Sequence, residues 1–169
     1  MIEDLSMNDA NMEAKRRLVE GLGGRGAHMT FENAVKDLPD SLMNAKPDNV
    51  PYTFWHQIEH IRLTQIDIIE YIRDPDYKEP TWPADYWPSQ DAETDRAGWE
   101  KSIKHYLADV DEFVKLIEDQ NCNVLASVER NNNRSIMGSA LIIIDHTAYH
   151  LGEFVMGRQI LGAWQSELG

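Results

Sequence analysis

Apolar residues recur at three- and four-residue intervals along most of the chain, a spacing that predicts helices. A first helix is expected over about Asn8 to Leu22, with Asn8 or Ser6 as N-cap and Gly21, Gly23, Gly24 and Gly26 at its end. Thr30 precedes Phe31-Glu-Asn-Ala-Val-Lys-Asp-Leu38 as a cap would, and Pro39 closes that short helix. A second long helix runs from Pro51 to Arg73, with Pro51 in its first turn. The third spans Asp91 to Asp119, burying Trp99, Ile103, Tyr106, Val110, Phe113, Val114 and Ile117, and the fourth spans Ile136 to Trp164.

Two long connections separate these helices. Asp74 to Pro88 holds four prolines and four aromatic residues, which forbid a regular helix there. Gln120 to Ser135, with three consecutive asparagines, reads as a second loop, and no β hairpin is expected. Four long amphipathic helices predict an all-α four-helix bundle, and connections of this length allow crossover topology. No internal repeat or low-complexity linker divides residues 1–169, so a single domain is expected.

The polar positions inside these helices carry the candidate chemistry. His146 and His150 stand four apart, so their rings project from one face, one turn apart. His56 and His60 repeat that spacing on the second helix, on a stripe continued by Thr64, Asp67 and Tyr71. Phe54, Ile58, Ile61, Ile68, Ile69 and Ile72 adjoin this stripe, which therefore borders the core. On the fourth helix, His146, His150, Glu153, Gly157, Ile160 and Trp164 share a face. Polar groups buried there need partners, at a cost of roughly 2–7 kcal/mol for each left unpaired. A transition metal meets that need, while hydrogen-bonded core histidines are the plain alternative. His56 is expected to pack or cap near its helix start, and His28 and His105 to lie on the surface. Thr147 stands where a zincin has its catalytic glutamate, so that motif is excluded.

Charge and cysteine content narrow the partners. A net charge of −13 repels nucleic acid and anionic membranes. Lys15-Arg16-Arg17 is flanked by Glu13 and Glu20 and reads as a solvated helix face. The single cysteine, Cys122, forms no internal disulfide and reads as a structural or incidental thiol. With no signal-peptide pattern at Met1–Leu5 and an apolar run, Ala140 to Ile144, too short to cross a bilayer, a cytoplasmic location is expected.

His146-Thr-Ala-Tyr-His150-Leu-Gly-Glu-Phe-Val-Met-Gly-Arg158-Gln-Ile-Leu-Gly-Ala-Trp164 resembles the C-terminal signature of the DinB-like (DinB/YfiT) superfamily. Thr53-Phe-Trp55-His-Gln-Ile-Glu-His60 resembles its first motif, with a Trp five positions before the ligand His, and the loop from Arg73 to Pro88 resembles one branch. The resemblance implies a four-helix bundle with crossover connections, a homodimer, and a metal held by His60, His146 and His150. His56 falls outside the match. Nickel or zinc is implied, with iron or manganese as alternatives.

Such a site with open positions lowers the pKa of a bound water or thiol. Two activities on a small molecule follow, hydrolysis or transfer of a low-molecular-weight thiol. A non-catalytic metal-binding or stress-response protein is the alternative. Glu153 stands where many relatives carry Gln, and it could be an added ligand, an acceptor behind a ligand, or a general base; a catalytic role is expected. Asp67 is expected to make a hydrogen bond or salt bridge inside the bundle, with Arg158 as one partner. Trp82, Tyr86 and Trp87 could wall a substrate pocket, pack the bundle or meet a second subunit.

Overall fold

The computed structural model describes residues 7–128 and 131–164. Its helices are α1 (Met7–Leu22), α2 (Phe31–Val35), α3 (Phe54–Arg73), α4 (Arg96–Glu118) and α5 (Ile136–Ile160). The four long helices form the bundle, and α2 packs on α5. The fold is all-α in its architecture, as the apolar spacing predicts.

Side chains that compete for free backbone N–H groups set the helix starts. Thr30 caps α2 by accepting from Asn33 N, and Asp95 caps α4 by accepting from Gly98 N. Thr53 begins α3 with a reciprocal pair: its hydroxyl accepts from His56 N, and its own N–H donates to His56 Nδ1. So α3 begins after Pro51 rather than at it, and α4 begins five residues past the expected Asp91, behind the Asp95 cap. Two ends are Schellman turns. Gly24 and Gly162 adopt φ of 68° and 67°, and the next N–H reaches back to Glu20 O and Arg158 O respectively. Gly162 thus stops α5 short of Trp164.

The helix directions follow from cross-contacts. Trp55 Nε1 donates to Ser102 Oγ, Gln65 Nε2 to Tyr106 O, and Arg73 to Glu112, so α3 and α4 run parallel. Phe54 packs edge-on to Phe154 while His60 meets His146, so α3 and α5 run antiparallel. Asn11 reaches Cys122 O and Lys15 reaches Asp119 O, which makes α1 antiparallel to α4. The order is up-down-down-up. Because α3 and α4 are parallel, the chain between them must return along the whole bundle, roughly 30 Å for a 20-residue helix. That return carries Tyr86 and Trp87 back past the middle of α3.

Two apolar clusters fill the interior. One gathers Phe31, Leu38, Met43, Phe54, Ile58, Ile61, Trp99 and Phe154; the other gathers Leu18, Ile69, Phe113, Ile117, Val124, Ala140 and Ile143. No helix among the described residues is long and apolar enough to cross a membrane.

Two expectations are corrected. The segment after α4 contains a small antiparallel ribbon, β1 (Ser127–Val128) and β2 (Asn131–Ser135), rather than only loop. Backbone pairing holds it, and its Asn-rich strand has no apolar alternation to announce it. Arg158 does not pair with Asp67. The antiparallel crossing sets Arg158 beside the start of α3, whereas Asp67 lies roughly 20 Å further along that helix. Arg158 is buried and donates to three carbonyls: Ala34 O at 2.6 Å, Lys36 O at 2.8 Å and Ala163 O at 3.1 Å. It straps α2 to the end of α5.

Removing that strap orphans three acceptors. Arg158→Ala is expected to lower unfolding free energy by about 3 kcal/mol or more in urea titrations, and Arg158→Lys to recover only part, since one ammonium cannot reproduce the planar fork. A loss within about 1 kcal/mol would contradict the strap.

Candidate metal centre

The antiparallel crossing of α3 and α5 brings His60 against His146 and His150, with one ring nitrogen from each within 4.8 Å of the others. His60 and His150 are buried and His146 is half-buried. The rings meet edge to face, with centroids 4.5–4.9 Å apart.

Hydrogen bonds on the far side of two rings fix their tautomers. His60 Nδ1 donates to Tyr86 O at 2.8 Å; a carbonyl can only accept, so the lone pair of His60 lies on Nε2. His150 Nδ1 faces Glu153 Oε2 at 2.8 Å, and a carboxylate likewise leaves Nε2 as the free electron pair. His60 Nε2 stands 3.1 Å from His146 Nε2. Two nitrogens each bound about 2.0–2.1 Å from one ion stand roughly 3 Å apart at angles between 90° and tetrahedral. The His60–His146 pair therefore already has the spacing of two nitrogens on one divalent transition ion, with His150 near enough to supply the third. Neutral imidazoles suit zinc, nickel, copper or iron over magnesium or calcium.

Burial keeps His60 and His146 neutral. Desolvation pushes His60 down to about 4, only partly opposed by the Tyr86 carbonyl, and it pushes His146 down to about 4 with help from the neighbouring imidazoles. Both present lone pairs at neutral pH, so uptake of an ion there need not expel a proton from either ring.

An aromatic wall covers one side. Trp87 lies flat on His60, centroids 3.7 Å apart and 6° from parallel, and Tyr52 stacks on Trp87 at 3.9 Å. Two rings cannot share one face at those distances, so Trp87 is sandwiched. Trp82 is mostly exposed, edge-on to Tyr86 at 5.1 Å. Of the three aromatics whose place was open, Tyr86 and Trp87 thus belong to the centre and Trp82 to its outer margin.

The remaining sequence candidates divide by position. Glu153, with its side chain 41% exposed, takes the role of acceptor behind His150 and lies outside the group of converging nitrogens. Tyr149 also bonds Glu153. Asp67 accepts the Tyr86 hydroxyl at 2.8 Å, the intrabundle hydrogen bond expected of it, and so steadies the turn whose carbonyl holds His60. His56 caps α3 and is not brought to the cluster. His28 and His105 are exposed. Cys122 is half-buried, and burial raises its thiol pKa, against a nucleophilic role.

Sequence reasoning missed Tyr52, Gln57 and Tyr149. Gln57 alone left a signal, a polar residue between the histidine stripe and the apolar sector of α3.

Comparison with known families places this arrangement. The model of the DinB superfamily matches residues 25–154, well over half the chain, including all three histidines, Glu153 and the aromatic loop. Arg158 and the Leu-Gly-Ala-Trp164 segment lie beyond the matched span. No curated protein and no solved structure matches the chain.

Two outcomes follow for metal and pH. His60→Ala, His146→Ala and His150→Ala should each abolish stoichiometric zinc or nickel uptake by elemental analysis, while His56→Ala retains it; Glu153→Gln should weaken uptake about 10- to 100-fold. The folded pKa values of about 4 lie below the ordinary 6.5, so between those values the unfolded chain binds more protons. Stability of the metal-free protein is therefore full above pH 6.5 and should fall as pH drops towards 4. Urea midpoints that stay flat across that window would refute the neutral, buried imidazoles.

Proposed function

Because the chain belongs to the DinB superfamily, and because three histidines converge in it, we propose that it is a divalent-metal-dependent enzyme acting on a small molecule. The observation that carries this reading is the pair of ligand rings whose Nδ1 groups are already occupied, by Tyr86 O and Glu153 Oε2. Such orientation holds the remaining nitrogens towards one point and raises their basicity. Three protein ligands leave positions for a nucleophile or substrate, which distinguishes a catalytic from a closed structural site. Nickel or zinc suits this donor set best, with iron as an alternative, while manganese is suggested only by the family resemblance.

A bound ion would supply Lewis-acid activation of a water or a low-molecular-weight thiol near neutral pH. Hydrolysis of an amide, ester or similar bond follows from the first, and S-transfer to an electrophile from the second. The chain's own residues do the rest. Glu153 orients His150 from behind and, half-exposed there, takes up the proton that leaves the nucleophile by way of solvent rather than by direct contact. Trp87 and Tyr52 exclude water from the His60 side. Asp67 and Tyr86 hold His60 in register without touching the reactants.

The test is metal removal and reloading against a panel of esters, amides and thiol–electrophile pairs. Chelated protein should remain helical and inactive, and zinc or nickel should restore turnover. At saturating metal, Glu153→Gln should lower kcat about 10²-fold or more. Turnover unchanged in Glu153→Gln would remove its role as proton acceptor. An apo chain that unfolds on chelation would make the ion structural instead.

A further inference from the structure

Beside the histidine cluster, a groove of about 290 Å³ runs between α3 and α5 towards the start of α3. Its apolar walls include Val50, Phe54, Met156 and Ile160, and Asn49, Tyr52, Gln57 and Glu153 give it polar groups. Gln57 lies one helical turn from His60, and Glu153 one turn from His150, so the groove ends about one turn from the metal centre. Gly157 allows its depth: a Cβ there would sit 3.0 Å from the Phe54 ring.

Three observations give the groove a ligand chemistry. Gln57 is 5% exposed, yet its carboxamide oxygen is buried with no hydrogen-bond partner among the described residues. An orphaned acceptor of this kind costs roughly 1–3 kcal/mol, a cost that a ligand N–H in the groove would offset once the carboxamide turns its oxygen towards it. The lining contains a carboxylate and no cationic side chain, so an anionic ligand would meet repulsion in a partly desolvated space. Met156 and Ile160 are 57% and 63% exposed on the outer lip, offering apolar surface that no described residue covers.

We propose that this groove is the substrate subsite, and that it takes an apolar chain carrying an amide or amine N–H, which donates to Gln57 while the chain lies along Phe54, Met156 and Ile160. The assignment deepens the enzymatic reading above and rests on it for the word substrate. The binding itself does not need the metal. From Glu153 to Ile160 the groove extends roughly 10 Å, room for a chain of about six carbons.

Hexanamide, 2-heptanone and hexanoate are nearly isosteric and differ in N–H and charge, so they serve as probes. Their dissociation constants are read by NMR titration of the zinc-loaded and chelated protein. Hexanamide should bind about tenfold or more tighter than hexanoate in the chelated form, where carboxylate–zinc ligation is removed. Gln57→Leu should shift the ratio of 2-heptanone to hexanamide constants by about fivefold or more against hexanamide, while zinc uptake stays unchanged. Met156→Trp, at an exposed lip position, should weaken all three probes.

Equal or tighter hexanoate binding to the chelated protein, a ratio unmoved by Gln57→Leu, or probes indifferent to Met156→Trp would each overturn the subsite. Failure of the metal reading looks different: zinc is not taken up, yet the order of the probes persists.

Discussion

An imidazole can be buried neutral among other imidazoles only if each of its polar edges has somewhere to go. In this protein that constraint links distant parts of the chain. His60 spends its Nδ1 hydrogen on Tyr86 O, and His150 faces Glu153 with its own. What remains is a set of ring nitrogens turned towards one another, with His60 and His146 held near 4 by desolvation. A structure that merely tolerated histidines would pair those inner edges with protein groups. This one leaves them to each other, with His60 and His146 at ligand spacing and His150 beside them.

The helix directions make that possible. Parallel α3 and α4 oblige the connecting chain to retrace the length of α3, and the retracing segment delivers the Tyr86 carbonyl and the Trp87 ring to His60. Antiparallel α5 then presents His146 and His150 from the opposite side. Asp67, one step further out, holds the Tyr86 hydroxyl. The strap from Arg158 to Ala34 and Lys36 closes the other end, beside the groove that opens towards Gln57. The centre and its supports thus draw on segments far apart in sequence, and that dispersal suits a site that must stay rigid.

The helices and the His146–His150 pair were legible in the sequence because both are periodic, whereas His60 was singled out from His56 only by the family resemblance. Apolar residues at three and four positions located every long helix, and the same period put His146 over His150. What the pattern could not carry were contacts made by backbone groups or set by direction. The Tyr86 carbonyl has no residue-type signature, and Tyr52 reaches Trp87 from a short linker with no period. Arg158 was assigned a carboxylate partner because charge invites one; the antiparallel crossing instead put it beside carbonyls. The β1–β2 ribbon was invisible because its Asn-rich strand has no apolar alternation in the sequence. Helix starts slipped where a capping side chain, Thr53 or Asp95, won over proline or the onset of the apolar pattern.

X-ray absorption at the metal edge of the zinc-loaded protein addresses the central claim directly, because it counts ligands by type. Three imidazoles about 2.0–2.1 Å from the ion, with one further light atom and no sulfur, is the predicted shell. A spectrum with one imidazole or none, or with a sulfur ligand from Cys122, would mean that the ion sits elsewhere and that the three converging rings are only packing.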